Sequence, residues 1–324
     1  MIKKPAQYED MNDPQARPRY MGISTFFRCP ATQDLKDADI GIVGVPYDGA
    51  VTNRNGTRHG PRAVRDLSSL MRRINAATGI QPFEAARVRD LGDCWIEFPF
   101  SVDKAHAEIA AFYKTVVAAG VMPLSVGGDH SISLPILRAV AEKRPVGMIH
   151  IDAHCDTGDD YLGSRFHHGT PFSRAVEEGL LDPKRVIQIG IRGTTNDPDM
   201  WGFSLRSGMR VLGMDEFHDK GWRYAAEEAR RVVGDGPVYL SYDIDSLDPA
   251  HAPGTGTPEV GGIQAIEAQR MLRALRGLDF VGGDLVEVSP PYDVGDITAL
   301  NGATLLFEIL CLLAERVQAR KAAG

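Results

Sequence analysis

The stretch His150-Ile151-Asp152-Ala153-His154-Cys155-Asp156 follows the apolar run Val146 to Ile149 and leads into a loop rich in Gly, Asp and His. Read as a buried strand, the run puts side chains two apart on one face, so Asp152, His154 and Asp156 converge just beyond the strand end. Two further stretches repeat the device: Val238-Tyr239-Leu240-Ser241-Tyr242 leads into Asp243-Ile244-Asp245, and Pro123-Leu124-Ser125-Val126-Gly127-Gly128-Asp129-His130 delivers a histidine after a glycine turn. Asp152, Asp156, Asp243, Asp245, His130 and His154 therefore gather at the ends of three strands. Four carboxylates in one cleft repel one another unless cations neutralise them, and their charge matches two divalent ions. An aspartate after a strand also has a plainer use as a helix cap or turn former, so no one motif decides the matter. The three together predict a two-metal site.

Outward from this stretch, strand-like and helical segments alternate. Strands are expected at 39–46, 87–91, 122–126, 146–152, 185–191, 210–213, 237–243 and 280–287. Helices are expected from Pro61 and near 103–119, 131–143, 171–180, 222–234, 263–276 and 299–318. In the first helix Val64, Leu67, Leu70 and Met71 recur at helical spacing. Such alternation implies right-handed crossovers and a mostly parallel sheet with helices on both faces, an α/β fold whose ligands bind beyond the carboxyl ends of the strands. Residues 1–38 are weakly periodic and contain prolines, and read as an N-terminal arm; 39–324 reads as a single domain, with no linker, repeat or low-complexity tract.

The chain has 324 residues, 43% of them apolar, enough for a sizeable core. Its net charge of −7, with both signs interspersed, offers no basic stripe for nucleic acid or an anionic membrane. Cys29, Cys94, Cys155 and Cys311 lack CxxC spacing and fit reduced thiols in a cytoplasm. Cys155 is expected to turn away from the metal ligands beside it and pack. The N-terminus shows no apolar signal core, and no uninterrupted apolar run reaches about 18 residues, which argues against export and membrane spanning. Gly254-Thr255-Gly256-Thr257-Pro258 and Gly282-Gly283 lack the spacing of a phosphate loop, and are read as turns approaching the cleft.

Gly127-Gly128-Asp129-His130-Ser131, Asp152-Ala153-His154-Cys155-Asp156 and Ser241-Tyr242-Asp243-Ile244-Asp245-Ser246-Leu247-Asp248-Pro249 resemble the three signatures of the ureohydrolase (arginase/agmatinase) family. Thr57-Arg58-His59-Gly60-Pro61, His168-Gly169-Thr170 and Glu287-Val288-Ser289-Pro290-Pro291 extend the resemblance over about residues 40–312. It implies a three-layer, arginase-like α/β fold around an eight-stranded sheet, assembly as a homotrimer or homohexamer, and two Mn2+ per subunit, with Ni2+ or another divalent ion as alternatives. By resemblance, His130, Asp152, Asp156 and Asp243 hold one ion, and His154, Asp152, Asp243 and Asp245 the other. His168 matches the proton-shuttling histidine and Glu287 the carboxylate that pairs with the substrate guanidinium; with Asp156 they form the catalytic set. Asp248 is expected behind the ligands. Cys155 stands where the family commonly has Thr, Ala or Ser.

The chemistry suits these residue types. Guanidine carbon is a poor electrophile, so hydrolysis needs a hydroxide at neutral pH, which two cations about 3.5–4 Å apart can supply from water bridging them. Oxygen-rich ligation without thiolate suits manganese. Glu287 can orient a planar guanidinium, and a histidine can protonate the leaving amine. Residues 157–166 lie between a metal ligand and His168, so Tyr161 and Arg165 are expected against the substrate beside Glu287 and His168. Arg165 or Arg54 would suit the carboxylate of an ω-guanidino acid, whereas Asp159 and Asp160 would suit the cationic tail of agmatine. The loops are most similar to guanidinopropionase and guanidinobutyrase types, and 3-guanidinopropionate is the first choice of substrate. Agmatine, 4-guanidinobutyrate and free or alkylated guanidines are the alternatives; a non-catalytic metal-binding subunit or a mononuclear deacetylase would need fewer of these residues.

Overall fold

The computed structural model describes residues 18–195, 198, 199 and 201–323. Eight strands, β1 (Ile40–Val45), β2 (Val88–Asp93), β3 (Met122–Gly127), β4 (Val146–Ile151), β5 (Leu181–Ile191), β6 (Arg210–Gly213), β7 (Val238–Asp243) and β8 (Phe280–Val286), form one sheet in the order β2-β1-β3-β8-β7-β4-β5-β6. Every pairing is parallel, more uniform than the mostly parallel sheet expected. Burial on both faces explains the near-continuous apolar strands, since each side of a parallel sheet is covered by helices.

Alternate residues of each strand enter different cores. Ile149 and Ile151 of β4 and Leu240 and Tyr242 of β7 pack with α1 (Gly60–Leu67), α7 (Met214–Val233), α8 (Ala265–Ala274) and α9 (Ile297–Ala323). Val146 and Met148 of β4 and Tyr239 of β7 pack with α3 (Val102–Ala118), α4 (Ser133–Val140) and α5 (Pro171–Glu177) on the opposite face. The short α2 (Pro82–Ala85) and α6 (Gly202–Ser207) complete the helices among the described residues.

Some element bounds differ from expectation. α1 stops at Leu67, and Leu70 ends a following 3-10 turn with 47% of its surface exposed, so the helical spacing of Leu70 and Met71 is not used. α7 begins at Met214 rather than 222, because a polar first turn and a half are joined to the expected helix across Gly221, at φ +81°. Reading by uninterrupted runs also missed that α9 is long and apolar enough to cross a bilayer, yet 78% of that stretch is buried inside the protein. Of the expected N-terminal arm, residues 1–17 lie outside the described residues; farther on, Phe26 and Phe27 are buried, the latter against Phe83 and Phe307.

Candidate metal centre and active site

β3, β8, β7 and β4 are the four adjacent strands at the middle of the sheet, and the predicted residues lie just past their carboxyl ends. His130 opens a 3-10 turn after β3, Asp243 ends β7, Glu287 follows β8, and Asp152 to Asp156 follow β4. Gly128 is required at the β3 end: a Cβ there would stand 1.8 Å from the Tyr47 carbonyl oxygen. Asp156 and Glu287 have φ of +50° and +64°, the sparsely populated left-handed region. Held strain of this kind gathers where surrounding structure fixes a side chain for chemistry.

His130 Nδ1 lies 3.1, 3.0 and 3.1 Å from Oδ2 of Asp152, Asp156 and Asp243. It is buried and points between these oxygens without a directed hydrogen bond to any one of them. The other ring nitrogen explains this. Ser241 donates its hydroxyl proton to Asp284 Oδ1 at 2.7 Å, so its oxygen receives Nε2–H of His130 at 2.8 Å and Nδ1 is left as a lone pair. Beside this group, His154 Nδ1 is 3.1 Å from Asp245 Oδ2 and 3.5 Å from Asp152 Oδ1. Asp152 is common to both groups, one oxygen on each.

Glu287 and His168 stand at the edge of the cluster. Glu287 Oε1 accepts the His130 backbone N–H at 2.9 Å and faces His168 Nδ1 at 3.0 Å, while Oε2 is buried without a partner. His168 Nε2 meets the Thr52 hydroxyl at 2.7 Å and its backbone N–H at 3.2 Å. Burial works against charge on His168, but Glu287 outweighs it and holds the ring at about 9. A cleft of about 430 Å³ opens onto these groups, lined by Thr52, Tyr161, His167, His168 and Thr257 together with three of the carboxylate and histidine ligand candidates.

A family model described as the arginase family matches residues 38–312, which takes in the whole sheet and all of these residues. The chain belongs to the arginase family. It is 56% identical to guanidinopropionase of Pseudomonas aeruginosa over 299 residues, 92% of this chain and 94% of that protein. Mitochondrial agmatinase of Gallus gallus is 48% identical over 92% of this chain and 87% of its own. Among solved structures, proclavaminate amidino hydrolase from Streptomyces clavuligerus superposes with a TM-score of 0.88 at 40% identity, covering 94% of this chain and all of that one. As an arginase-family enzyme the chain is a hydrolase of carbon–nitrogen bonds other than peptide bonds.

The ligand set fits the divalent cations of this family. Burial, then the neighbouring Asp245 and Asp152 carboxylates, push Asp243 well above the usual carboxylate range, and burial and Asp152 raise Asp245. Burial opposes charge on His130 and His154, yet without a cation the surrounding aspartates draw a proton onto both rings, at the nitrogens a bound cation would claim as lone pairs. Positive charge is thus drawn to the two points where the oxygens converge. Two imidazole nitrogens and carboxylate oxygens, with no thiolate, suit a hard ion.

Other expected residues fall elsewhere. Arg165 does not reach the cleft: it binds Asp159 at 3.0 Å and Glu177 at 3.0 Å, because the acidic residues near it in its own loop and on α5 neutralise it first. Arg54 lies over the Tyr292 ring, outside the lining. Asp248 does not touch the ligands; it accepts N–H bonds from Ala250, Gly261 and Gly262 and closes their loop. Cys155 lines a neighbouring cleft with Phe203 and Trp201, one that shares His154 and Asp156 with the first. Tyr161 does line the cleft, and Thr257 of the glycine-rich turn approaches Asp245 at 3.4 Å.

Four supporting residues were not anticipated. Asp129 accepts from Ser131 N and Ala50 N, tying the Thr52 loop to the β3 end, and burial and Glu287 push it up to about 7. Arg192 gives hydrogen bonds to the carbonyls of Asp245, Ser246, Leu247 and Glu259, clamping the loop that carries Asp245. Asp284, buried in β8, accepts from Ser133, Tyr239 and Ser241. His150, two residues before Asp152, contacts it. Asp284 and His150 carried a sequence signal, each a polar side chain inside an apolar strand.

Proposed function

We propose that this enzyme cleaves the guanidino group of a small ω-guanidino acid, with 3-guanidinopropionate as first choice, to urea and the ω-amino acid. The observation that carries the reading is Glu287: one oxygen is fixed by two donors and the other is buried and unpartnered beside Gly256 of the turn bordering the cleft. A buried carboxylate oxygen left without a donor is costly, and a planar guanidinium would satisfy it with a charge-assisted bond. His130, Asp152, Asp156, Asp243, His154 and Asp245 would hold two divalent cations, Mn2+ as first choice and Ni2+ as the alternative. When bound, such ions lower the pKa of water enough to supply a nucleophile at neutral pH. Glu287 raises the proton affinity of His168, whose Nε2 accepts the Thr52 N–H when the ring is neutral and can give a proton to the leaving amine when it is charged.

The choice of an acid over agmatine rests on the pairing of loop charges. An ammonium tail would need a carboxylate, but Asp159 is taken by Arg165 and Arg174, and neither it nor Asp160, which accepts from Gly163 N, lines the cleft. The hydroxyl of Tyr161, on the cleft wall with Thr52 and Thr257, is a neutral donor that can meet a substrate carboxylate. The high identity to guanidinopropionase points the same way. We place the active form as a homotrimer or homohexamer in the cytoplasm.

Urea release is the test, measured after manganese loading and again after nickel loading, on 3-guanidinopropionate, 4-guanidinobutyrate, agmatine, arginine and methylated guanidines. The expected outcome is a preference for the three-carbon acid that disappears in Asp152→Asn. A preference for agmatine, or no urea despite two bound metals, would overturn the assignment.

A further inference from the structure

We infer that His150 and Gln188 are positioning residues that lock the carboxylate of Asp152 across both cation positions through a directed hydrogen-bond relay. The inference rests on the two-cation reading above and deepens it. His150 of β4 and Gln188 of β5 are register partners in the sheet and fully buried. The Gln188 amide nitrogen lies 2.6 Å from the Cys155 carbonyl oxygen and 3.1 Å from His150 Nδ1.

The direction of the relay follows from what each group can do. A backbone carbonyl only accepts, so the NH2 end of Gln188 must face Cys155; turning the amide over would set two oxygens against each other. The orientation is kept although Gln188 Oε1 is buried with no partner. The second amide proton points at His150 Nδ1, which must offer its lone pair. The single proton of the neutral ring therefore sits on Nε2, 2.7 Å from Asp152 Oδ2, and donates to it. Asp152 Oδ1 is held in the same way by the His154 backbone N–H at 2.6 Å.

Each Asp152 oxygen thus spends one lone pair on a protein donor and turns the other to the cluster, Oδ2 beside His130 and Oδ1 beside His154. Phe172 of α5 packs on the His150 ring, with centroids 4.4 Å apart, and keeps it from turning. The relay starts at the carbonyl between His154 and Asp156, so one amide ties the orientation of Asp152 to the loop that carries its two neighbours. Partners that orient metal ligands in this way typically change metal affinity by about 10–100-fold when removed.

The test uses the full chain labelled with 15N-histidine and loaded with diamagnetic Zn2+, with solid-state NMR reporting which His150 nitrogen carries the proton. The resonance is assigned without any variant, by correlating the ring with the backbone of Ile149 and Ile151 in chain that is also uniformly labelled with 13C and 15N. The neutral Nε2–H form is expected; an Nδ1–H or doubly protonated ring overturns the relay, even if no variant folds. In parallel, Mn2+ binding is followed by the electron-paramagnetic signal of the free ion. Gln188→Glu, which sets an acceptor against Nδ1, and His150→Leu should each weaken binding about 10–100-fold, while His150→Gln, which keeps a neutral donor, should recover most of it. Unchanged binding in Gln188→Glu and His150→Leu would defeat the proposal. A wild-type protein that holds two metals, shows the Nε2–H form and releases no urea would defeat the guanidino-acid reading alone.

Discussion

Asp243 serves two purposes with two oxygens: Oδ1 accepts the Asp245 N–H at 2.8 Å, capping a 3-10 turn, and Oδ2 faces His130 Nδ1 at 3.1 Å. The plain reading of a strand-end aspartate and the metal reading are therefore both satisfied, and the cap is what aims the second oxygen. Glu287 is divided likewise, which makes its free oxygen the most informative single atom to remove. Glu287→Gln keeps the shape and withdraws the charge; kcat/KM for the guanidino substrate should fall roughly 10²–10³-fold, the scale of an unpaired buried charge contact, while metal content by elemental analysis stays at the wild-type value. His168 gives a pH signature. Its ring is held at about 9 against an ordinary 6.5, so the charged form stabilises the fold fully below about 6.5, and that contribution is lost as pH rises through about 9. Compared with His168→Asn, both metal-free, the wild type should be more stable by on the order of 3 kcal/mol near pH 6.5 and by much less near pH 9.5, read from urea midpoints. The six ligand candidates were legible because alternation at a strand end is a local rule. Thr52, Arg192 and Gln188 were not, since their partners lie 116, 53 and 33 residues away.

Strands were read more reliably than helices. The inner strands could be seen because a parallel sheet buried on both faces demands apolar runs, whereas the edge strand β2, Val88–Asp93, carries Arg89, Asp90 and Asp93. α6 was missed because its sequence, Gly-Phe-Ser-Leu-Arg-Ser, is too short to show a period. The first turns of α7 were missed because Gly221 interrupts the period, although Met214 and Phe217 there join the same core as Ala225 and Val233. α5 illustrates how an element supports chemistry from behind. Phe172 near its start is fully buried and packs on both His130, at 5.1 Å, and His150, at 4.4 Å. Phe172→Ala should cost about 3–5 kcal/mol in equilibrium unfolding. It should also weaken Mn2+ binding, because the two rings lose the wall that sets their planes.

For the whole molecule, the cations are part of the fold's stability as well as of its chemistry. Anything that binds the folded chain and not the unfolded one stabilises it by mass action, about 4 kcal/mol at a thousandfold excess over Kd. Manganese should raise the melting temperature, a chelator should lower it, and Asp152→Asn should remove most of the difference in a thermal scan. Substrate choice was the least legible property at this scale. Of the charges in 157–166 that seemed to forecast a ligand, Asp159 and Arg165 pair with each other and Asp160 turns to a backbone N–H, and composition cannot reveal such pairing.

The strand order also has a bearing on how the protein is made. β3 and β4 follow each other in the chain yet lie three places apart in the sheet, with β8 and β7 seated between them. A growing chain emerges at about 5–20 residues per second, so after β4 leaves the ribosome its partner β7 arrives seconds later, and β8 later still. During that interval the inner edges of both strands have no neighbour, and exposed edges are templates for mispairing. A chain that stops before residue 286 has no way to close the gap, so early termination should give an aggregation-prone fragment rather than a weakened enzyme.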